Sequence, residues 1–281
     1  MADGQKAFGQ GSGTENSDTL SHEAKDQQDN YVYVRVRNRG STPANNVLAT
    51  VYWSPVATLV LPYLWTEVGS VSIPTVPGGD QLTVSDPILW PAAKVPGPGH
   101  YCFVGLIGNV DDPAPILPEF LDWNQFYRLI RDNNNVTWRN FQVVPNTPVP
   151  PSGYAELPFL APGAPEFARV FGLQVVARLP EGAEAWLEMP IYLADALGLR
   201  SPYLRLDLAQ GLALLPVNPH GYTLLGEALF PGNSAAQLRL LVRIPERFRG
   251  QAYELFVRQL YGGEEVGRVT WRLEPPQRIE K

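Results

Sequence analysis

Between Tyr31 and Arg37 valine alternates with tyrosine and arginine, placing Val32, Val34 and Val36 on one face and Tyr33, Arg35 and Arg37 on the other. A period of two marks a half-buried strand, because successive Cβ atoms leave opposite faces of a sheet. Asn38 to Gly40 ends the run with turn chemistry, and further strand-like segments follow. Val47, Ala49 and Val51 repeat the inward alternation; Val68 to Ile73 precedes a Pro77-Gly78-Gly79 turn; Leu82 and Val84 continue the meander. The chain's 28 prolines and 25 glycines fall largely between such segments, which predicts turns joining strands and an all-β architecture. A length of 281 residues accommodates about two domains of ordinary size.

Gly99 to Ile107 forms the next strand and is apolar on both faces, with Tyr101, Phe103 and Ile107 on one side and Cys102, Val104 and Leu106 on the other. Strands of this kind are usually covered on both faces. The insertion that follows, the second domain or a partner chain would supply the outer cover. The insertion, between Asp111 and Arg131, opens with D-D-P-A-P-I-L-P and continues as L-D-W-N-Q-F-Y-R-L-I-R. Trp123, Phe126, Tyr127 and Ile130 fall at helical spacing, with Asp122 and Gln125 placed as N-cap and reciprocal partner, so a short amphipathic helix is expected.

Residues 1–29 are polar and glycine-rich, with six acidic and two basic side chains, and read as a disordered leader. Domain boundaries are expected at 30–146 for the first β-sandwich, 147–155 for a proline-rich linker, 156–275 for a second sandwich and 276–281 for a tail. Four prolines between Val144 and Pro151 favour a stiff extended spacer. Beyond it, strand-like runs recur at Phe171 to Leu179, Ala185 to Glu188, Tyr203 to Leu208, Leu238 to Ile244, Tyr253 to Leu260 and Val266 to Leu273. Tyr261-Gly262-Gly263-Glu264 predicts a hairpin, and Ile191 to Leu199 a helical turn. Gly99-His100-Tyr101 and Gly250-Gln251-Ala252-Tyr253 echo one another. Immunoglobulin-like sandwiches commonly carry a tyrosine there whose hydroxyl ties back to the chain. The expected fold is therefore two tandem immunoglobulin-like β-sandwiches, each with a short helical insertion.

Asn38-x-Gly40, Ala44-Asn45-Asn46-Val47, Gly69-Ser70-Val71, Gly97-x-Gly99-x-Tyr101 and Asp132-Asn133-Asn134, in that order and spacing, resemble CARDB, the cell-adhesion-related domain found in bacteria. The resemblance covers residues of about 30–146. It implies an extracellular or cell-surface spacer, adhesion or accessory binding module with no catalytic residues to carry over. The aromatic loop Trp53 to Trp65 and the insertion before Asp132 depart from the family's pattern. Residues 1–13 lack the apolar run of a secretory signal, so the cell-surface expectation rests on the resemblance.

Chemistry is sparse along the chain. A net charge of -6 gives no footprint for phosphate backbones or anionic lipid, so nucleic acid is not expected as a partner, and no apolar run approaches the roughly 20 residues that span a bilayer, so membrane insertion is not expected either. The single cysteine, Cys102, excludes an intramolecular disulfide, and the three histidines, His22, His100 and His220, show no metal-ligand spacing. His100 and Cys102 share a strand face, yet a cysteine among Tyr101, Phe103 and Val104 reads as buried packing. Asp132 to Asn135 reads as an Asx turn rather than a calcium loop, and Asn135-Val136-Thr137 matches a glycan acceptor. No cofactor, metal or catalytic residue is expected.

The binding signal is aromatic. The loop Trp53 to Trp65 is more apolar than a solvated connection requires. It is expected to pack on the second domain, to line a groove for a protein or glycan, or to contact a second subunit. Trp53, Leu59, Leu61, Tyr63 and Trp65, together with Trp123, Phe126 and Tyr127 of the insertion, are the candidate interaction surface. The expected function is a non-enzymatic adhesion or accessory binding module. The alternatives are a self-assembling filament or phage-tail-like subunit and, behind it, a hydrolase with an acidic site in the C-terminal half.

Overall fold

The computed structural model describes residues 8–15, 23–144, 153–248 and 251–273, with side chains at 127–131 and 141–144 excepted. The proline-rich linker, the tail and much of the leader lie outside these residues. The chain divides into two compact units, residues 1–55 with 62–149 and residues 56–61 with 150–281.

The first unit contains β1 (Glu23–Lys25), β2 (Asn30–Val32), β3 (Arg35–Arg37), β4 (Ala44–Pro55), β5 (Thr66–Val76), β6 (Leu82–Val84), β7 (Ile88–Trp90), β8 (Gly99–Gly108), α1 (Trp123–Asp132) and β9 (Val136–Val144). Five strands form one sheet in the order β1-β9-β8-β4-β5, and the ribbons β2-β7 and β3-β6 supply the strands beyond it. Val47, Ala49 and Val51 are buried as their alternation requires, with Val68, Ile73, Val84, Ile88 and Trp90 among the other core side chains. Two features are those of an immunoglobulin-like sandwich. β1 runs parallel to β9, and the Tyr101 hydroxyl donates to the Gly97 carbonyl at 2.8 Å.

Two expectations need correction here. Residues 23–25 of the leader are ordered as β1, because β9 offers an edge to pair with. The single strand expected over 31–37 is broken at Tyr33 and Val34 into β2 and β3, which pair with different partners, β7 and β6.

The outer face of β8 is covered within the same unit. Tyr52 lies opposite Val104 in register, and its ring meets Trp65 at 5.5 Å, Trp65 meets Phe120 at 5.2 Å and Phe120 meets Phe126 at 6.5 Å. Phe120, Trp123 and Phe126 are buried. The insertion is thus part of its own sandwich's packing. Asp122 caps α1 as its position predicts, its carboxylate accepting from the Gln125 amide at 2.9 Å.

The second unit contains Val56–Leu61, β10 (Ala155–Pro162), β11 (Arg169–Ala177), β12 (Glu184–Pro190), α2 (Ile191–Ala196), β13 (Arg205–Asp207), β14 (Leu212–Pro216), β15 (Tyr222–Phe230), β16 (Ala235–Arg243), β17 (Tyr253–Tyr261) and β18 (Glu264–Leu273). Its sheets run β10-β16-β12-β14-β13 and β15-β11-β17-β18. Phe171, Leu173, Val175 and Ala177 from one sheet and Leu187, Met189, Leu238 and Leu240 from the other are buried. The hairpin between β17 and β18 turns on Gly262 and Gly263, both at positive φ.

The boundary expected at 156 is incomplete, because Val56–Leu61 belongs to this second unit. The Thr58 amide donates to the Leu160 carbonyl at 2.9 Å and the Leu160 amide to the Val56 carbonyl at 2.8 Å, so the segment runs parallel to the edge strand β10. Val56, Ala57, Thr58, Leu59 and Leu61 are all buried. Burial of the four consecutive residues Val56–Leu59, before the half-buried Val60, shows a segment covered on more than one face.

Candidate interaction surface

Each of the sequence-derived candidates has a definite place. Leu59 and Leu61, 3% and 0% exposed, are core residues of the second unit, and Trp123 and Phe126 are core residues of the first. These four are therefore not surface, because their apolar area is already withdrawn from water inside the fold. Trp53 is half-buried, packs on the core cluster around Val51 and Trp90, and meets the Tyr101 ring edge-on at 5.3 Å. Trp65 is half-buried between Tyr52 and Phe120. Tyr63 is exposed. Tyr127 lies in α1, and its side chain is outside the described residues. Of the candidates that are not core, Trp53 and Trp65 are half-buried and Tyr63 is exposed.

The residues that could have carried reactive chemistry are equally quiet. Cys102 is buried, its thiol donates to the Asn140 side-chain oxygen at 3.1 Å, and burial pushes its pKa up to about 12. Both its burial and its raised pKa keep little of it as the thiolate, the form that acts as nucleophile. Burial also lowers the pKa of His100. Asn135 accepts an Asx-turn pattern as expected, its amide donating to the Asn133 side chain at 2.8 Å. Its own side-chain nitrogen donates to Asp112 Oδ1 at 2.8 Å. Among the described residues, no three of His, Cys, Asp or Glu are grouped to hold a metal ion, and no helix is long and apolar enough to cross a membrane.

A cleft of about 560 Å³ in the first unit is lined by Tyr33, Arg35, Val51, Trp90, Phe103 and Arg139 among others. Val51 and Trp90 belong to the core cluster of that sandwich. The cleft is therefore the open flank of a core.

Both outer faces of the second unit carry ion pairs, and one of them also exposes large apolar side chains. On β10, β12 and β16 the outward side chains form ion pairs: Arg239 bridges Glu156 at 2.6 Å and Glu188 at 2.8 Å, and Arg243 pairs with Glu184. Hydrogen bonds from Arg243 and from the Tyr154 hydroxyl hold the Glu184 carboxyl below its usual pKa. That face is what a solvated sheet should carry. On β11 and β15 the outward positions are mixed, with apolar side chains set beside Gln174 and the exposed Glu227, and on the adjoining β17 and β18 Arg258 and Arg268 pair with Glu265. Val170 pairs with Leu229 and Val176 with Tyr222, while Leu224 faces Gln174. Tyr222, Leu224, Leu229 and Val170 are 68%, 59%, 63% and 49% exposed. Single exposed apolar side chains are ordinary, but here two pairs, Tyr222 with Leu224 and Val170 with Leu229, share one face of one strand pair on either side of Glu227. The sequence pattern gives no strand over residues 222–230, where Gly226 interrupts the alternation.

No family model matches the chain, and no curated protein does. A solved structure of red sea bream transglutaminase aligns over 90% of this chain and 30% of its own, at 16% identity and a TM-score of 0.25. Similarity of that size carries no argument about fold or activity.

Proposed function

We propose that this chain is a non-enzymatic interaction module of the adhesion kind, which holds a protein partner on the outer face of β11 and β15. The observation that carries the reading is the set of exposed apolar side chains Val170, Tyr222, Leu224 and Leu229 on the outer face of β11 and β15, set around Glu227 and beside the Arg258–Glu265 pair of the same sheet. Aliphatic side chains dominate it, which favours a protein surface over a glycan, whose hydroxyls require polar partners. The ordered motifs of residues 30–146 support a bacterial cell-surface setting.

A chain carrying Leu224→Glu and Leu229→Lys tests the reading. Both positions are exposed, so the melting temperature should stay within a few degrees of the original. Wild type immobilised on a sensor should capture a surface-protein fraction that the variant loses. A glycan array answered equally by both chains, or equal protein capture by both, sinks the proposal. Sedimentation of the wild type alone, across a hundredfold range of concentration, distinguishes a foreign partner from self-association.

A further inference from the structure

We propose that the flank of the second unit between the edges of β10 and β18 is a strand-acceptor slot, which recognises Val56–Leu61 as a peptide ligand is recognised. The slot has the three elements of such recognition. Its backbone element is β10, an edge strand whose Leu160 both accepts from Thr58 and donates to Val56, the ladder of strand addition. Its polar element is Gln259, fully buried, whose side-chain oxygen accepts from the Thr58 hydroxyl at 2.5 Å and whose nitrogen donates to the Pro162 carbonyl at 2.7 Å. Its steric element is Gly267 on β18, where an added Cβ would lie 1.9 Å from the Thr58 carbonyl oxygen and 2.7 Å from Leu59. A residue with no side chain is required because the segment's backbone passes directly over it.

The ligand class follows from these contacts. It is an extended segment with a small residue, then a hydroxyl residue that reaches Gln259, then leucines at the third and fifth places of Ala57-Thr58-Leu59-Val60-Leu61. Leu59 and Leu61 supply the apolar area and Thr58 the polar specificity, so recognition resides in the six residues themselves. The same sequence on a separate molecule should therefore occupy the slot when the chain's own copy is removed.

The experiment uses the full chain with residues 56–61 replaced by Gly-Ser-Gly-Ser-Gly-Ser. Its melting temperature should fall by about 5 °C or more. The synthetic peptide Val-Ala-Thr-Leu-Val-Leu, flanked by lysines for solubility, should bind it at one-to-one stoichiometry and raise that temperature. A scrambled peptide should not, and a peptide with valine for the threonine should bind at least tenfold more weakly. Where the replaced chain is insoluble, the peptide added during refolding should restore soluble protein and the scrambled one should not. Equal effects of both peptides, or a folded variant that binds neither, overturn the proposal. A second variant, Gly267→Ala in the otherwise unaltered chain, should lower the melting temperature and speed hydrogen exchange at the Leu160 amide. An unchanged melting curve and unchanged exchange there overturn it too.

Discussion

The Thr58 hydroxyl and the Gln259 side-chain oxygen lie 2.5 Å apart in the interior of the second unit, 201 residues apart along the chain. Gln259 is a fully buried polar residue on a strand whose neighbours on that face, Leu255 and Val257, are core. An amide in such a place is tolerated because its groups are matched: the oxygen by Thr58 and the nitrogen by the Pro162 carbonyl.

Removing the hydroxyl while keeping the shape, Thr58→Val, leaves the Gln259 oxygen buried without that donor. The expected cost is about 1–3 kcal/mol, the usual penalty for a buried polar group deprived of its partner. Urea denaturation measures it. Adding Gln259→Leu to Thr58→Val should cost less than the two single losses summed, since the stranded acceptor is then gone. Strict additivity would show that the pair is not coupled.

Tyr101 ties its hydroxyl to the Gly97 carbonyl at 2.8 Å, and Tyr253 repeats the device in the second unit toward the Phe248 carbonyl at 3.2 Å. Tyr101→Phe should lower the stability of the first unit by about 0.5–1.5 kcal/mol. Tyr253→Phe should cost less, its bond being longer. Differential scanning calorimetry of the two variants checks the order.

Where local pattern decides, the fold was legible in the sequence. Val47, Ala49 and Val51 declared the inner face of β4, Asp122 the start of α1, and Gly262-Gly263 the last hairpin. Several strands escaped, among them β1, β7 and β14, and for two of them, β10 and β15, the physical reason is plain. β10 carries Pro158 and Pro162, which read as linker yet suit an edge strand. β15 is interrupted by Gly226 at a φ of 98°, where its register to β11 shifts. The apolar loop announced that it must be buried but not where, because periodicity carries no long-range address. The exposed side chains of β15 were hidden with the strand itself, since the break at Gly226 conceals which of its residues share a face.

Asn135 is buried, with its side-chain nitrogen donating to Asp112 Oδ1 at 2.8 Å. Asn135→Asp would replace that donor by a second carboxylate and set two acidic groups against each other. The new carboxyl should then titrate above the usual range near 4. A raised folded-state pKa means the stability is intact below about pH 4 and is lost as pH rises through the folded value. The variant should match wild type near pH 3.5 and fall below it by about 1–3 kcal/mol at pH 7. A constant difference across that range would show that the two groups do not interact.

Cys102 offers the complementary test at high pH. Burial pushes its thiol up to about 12, while in the unfolded chain the same group loses its proton near pH 9. Between those values the unfolded state binds fewer protons than the folded one, so stability falls as pH rises, by up to about 1.4 kcal/mol per pH unit. Below pH 9 both states are protonated and the contribution is constant. Cys102→Ser keeps a donor for Asn140 and has no ionisation in this range, so its stability should decline less steeply than wild type from pH 9 upward. Tyrosines that are raised in the same sense, Tyr52 and Tyr101 among them, are common to both chains and cancel in the difference. Parallel curves for the two chains between pH 8 and pH 10.5 would refute the assignment. Iodoacetamide at pH 8.5 gives an independent reading: native protein should remain unlabelled on a timescale that fully modifies the urea-unfolded chain.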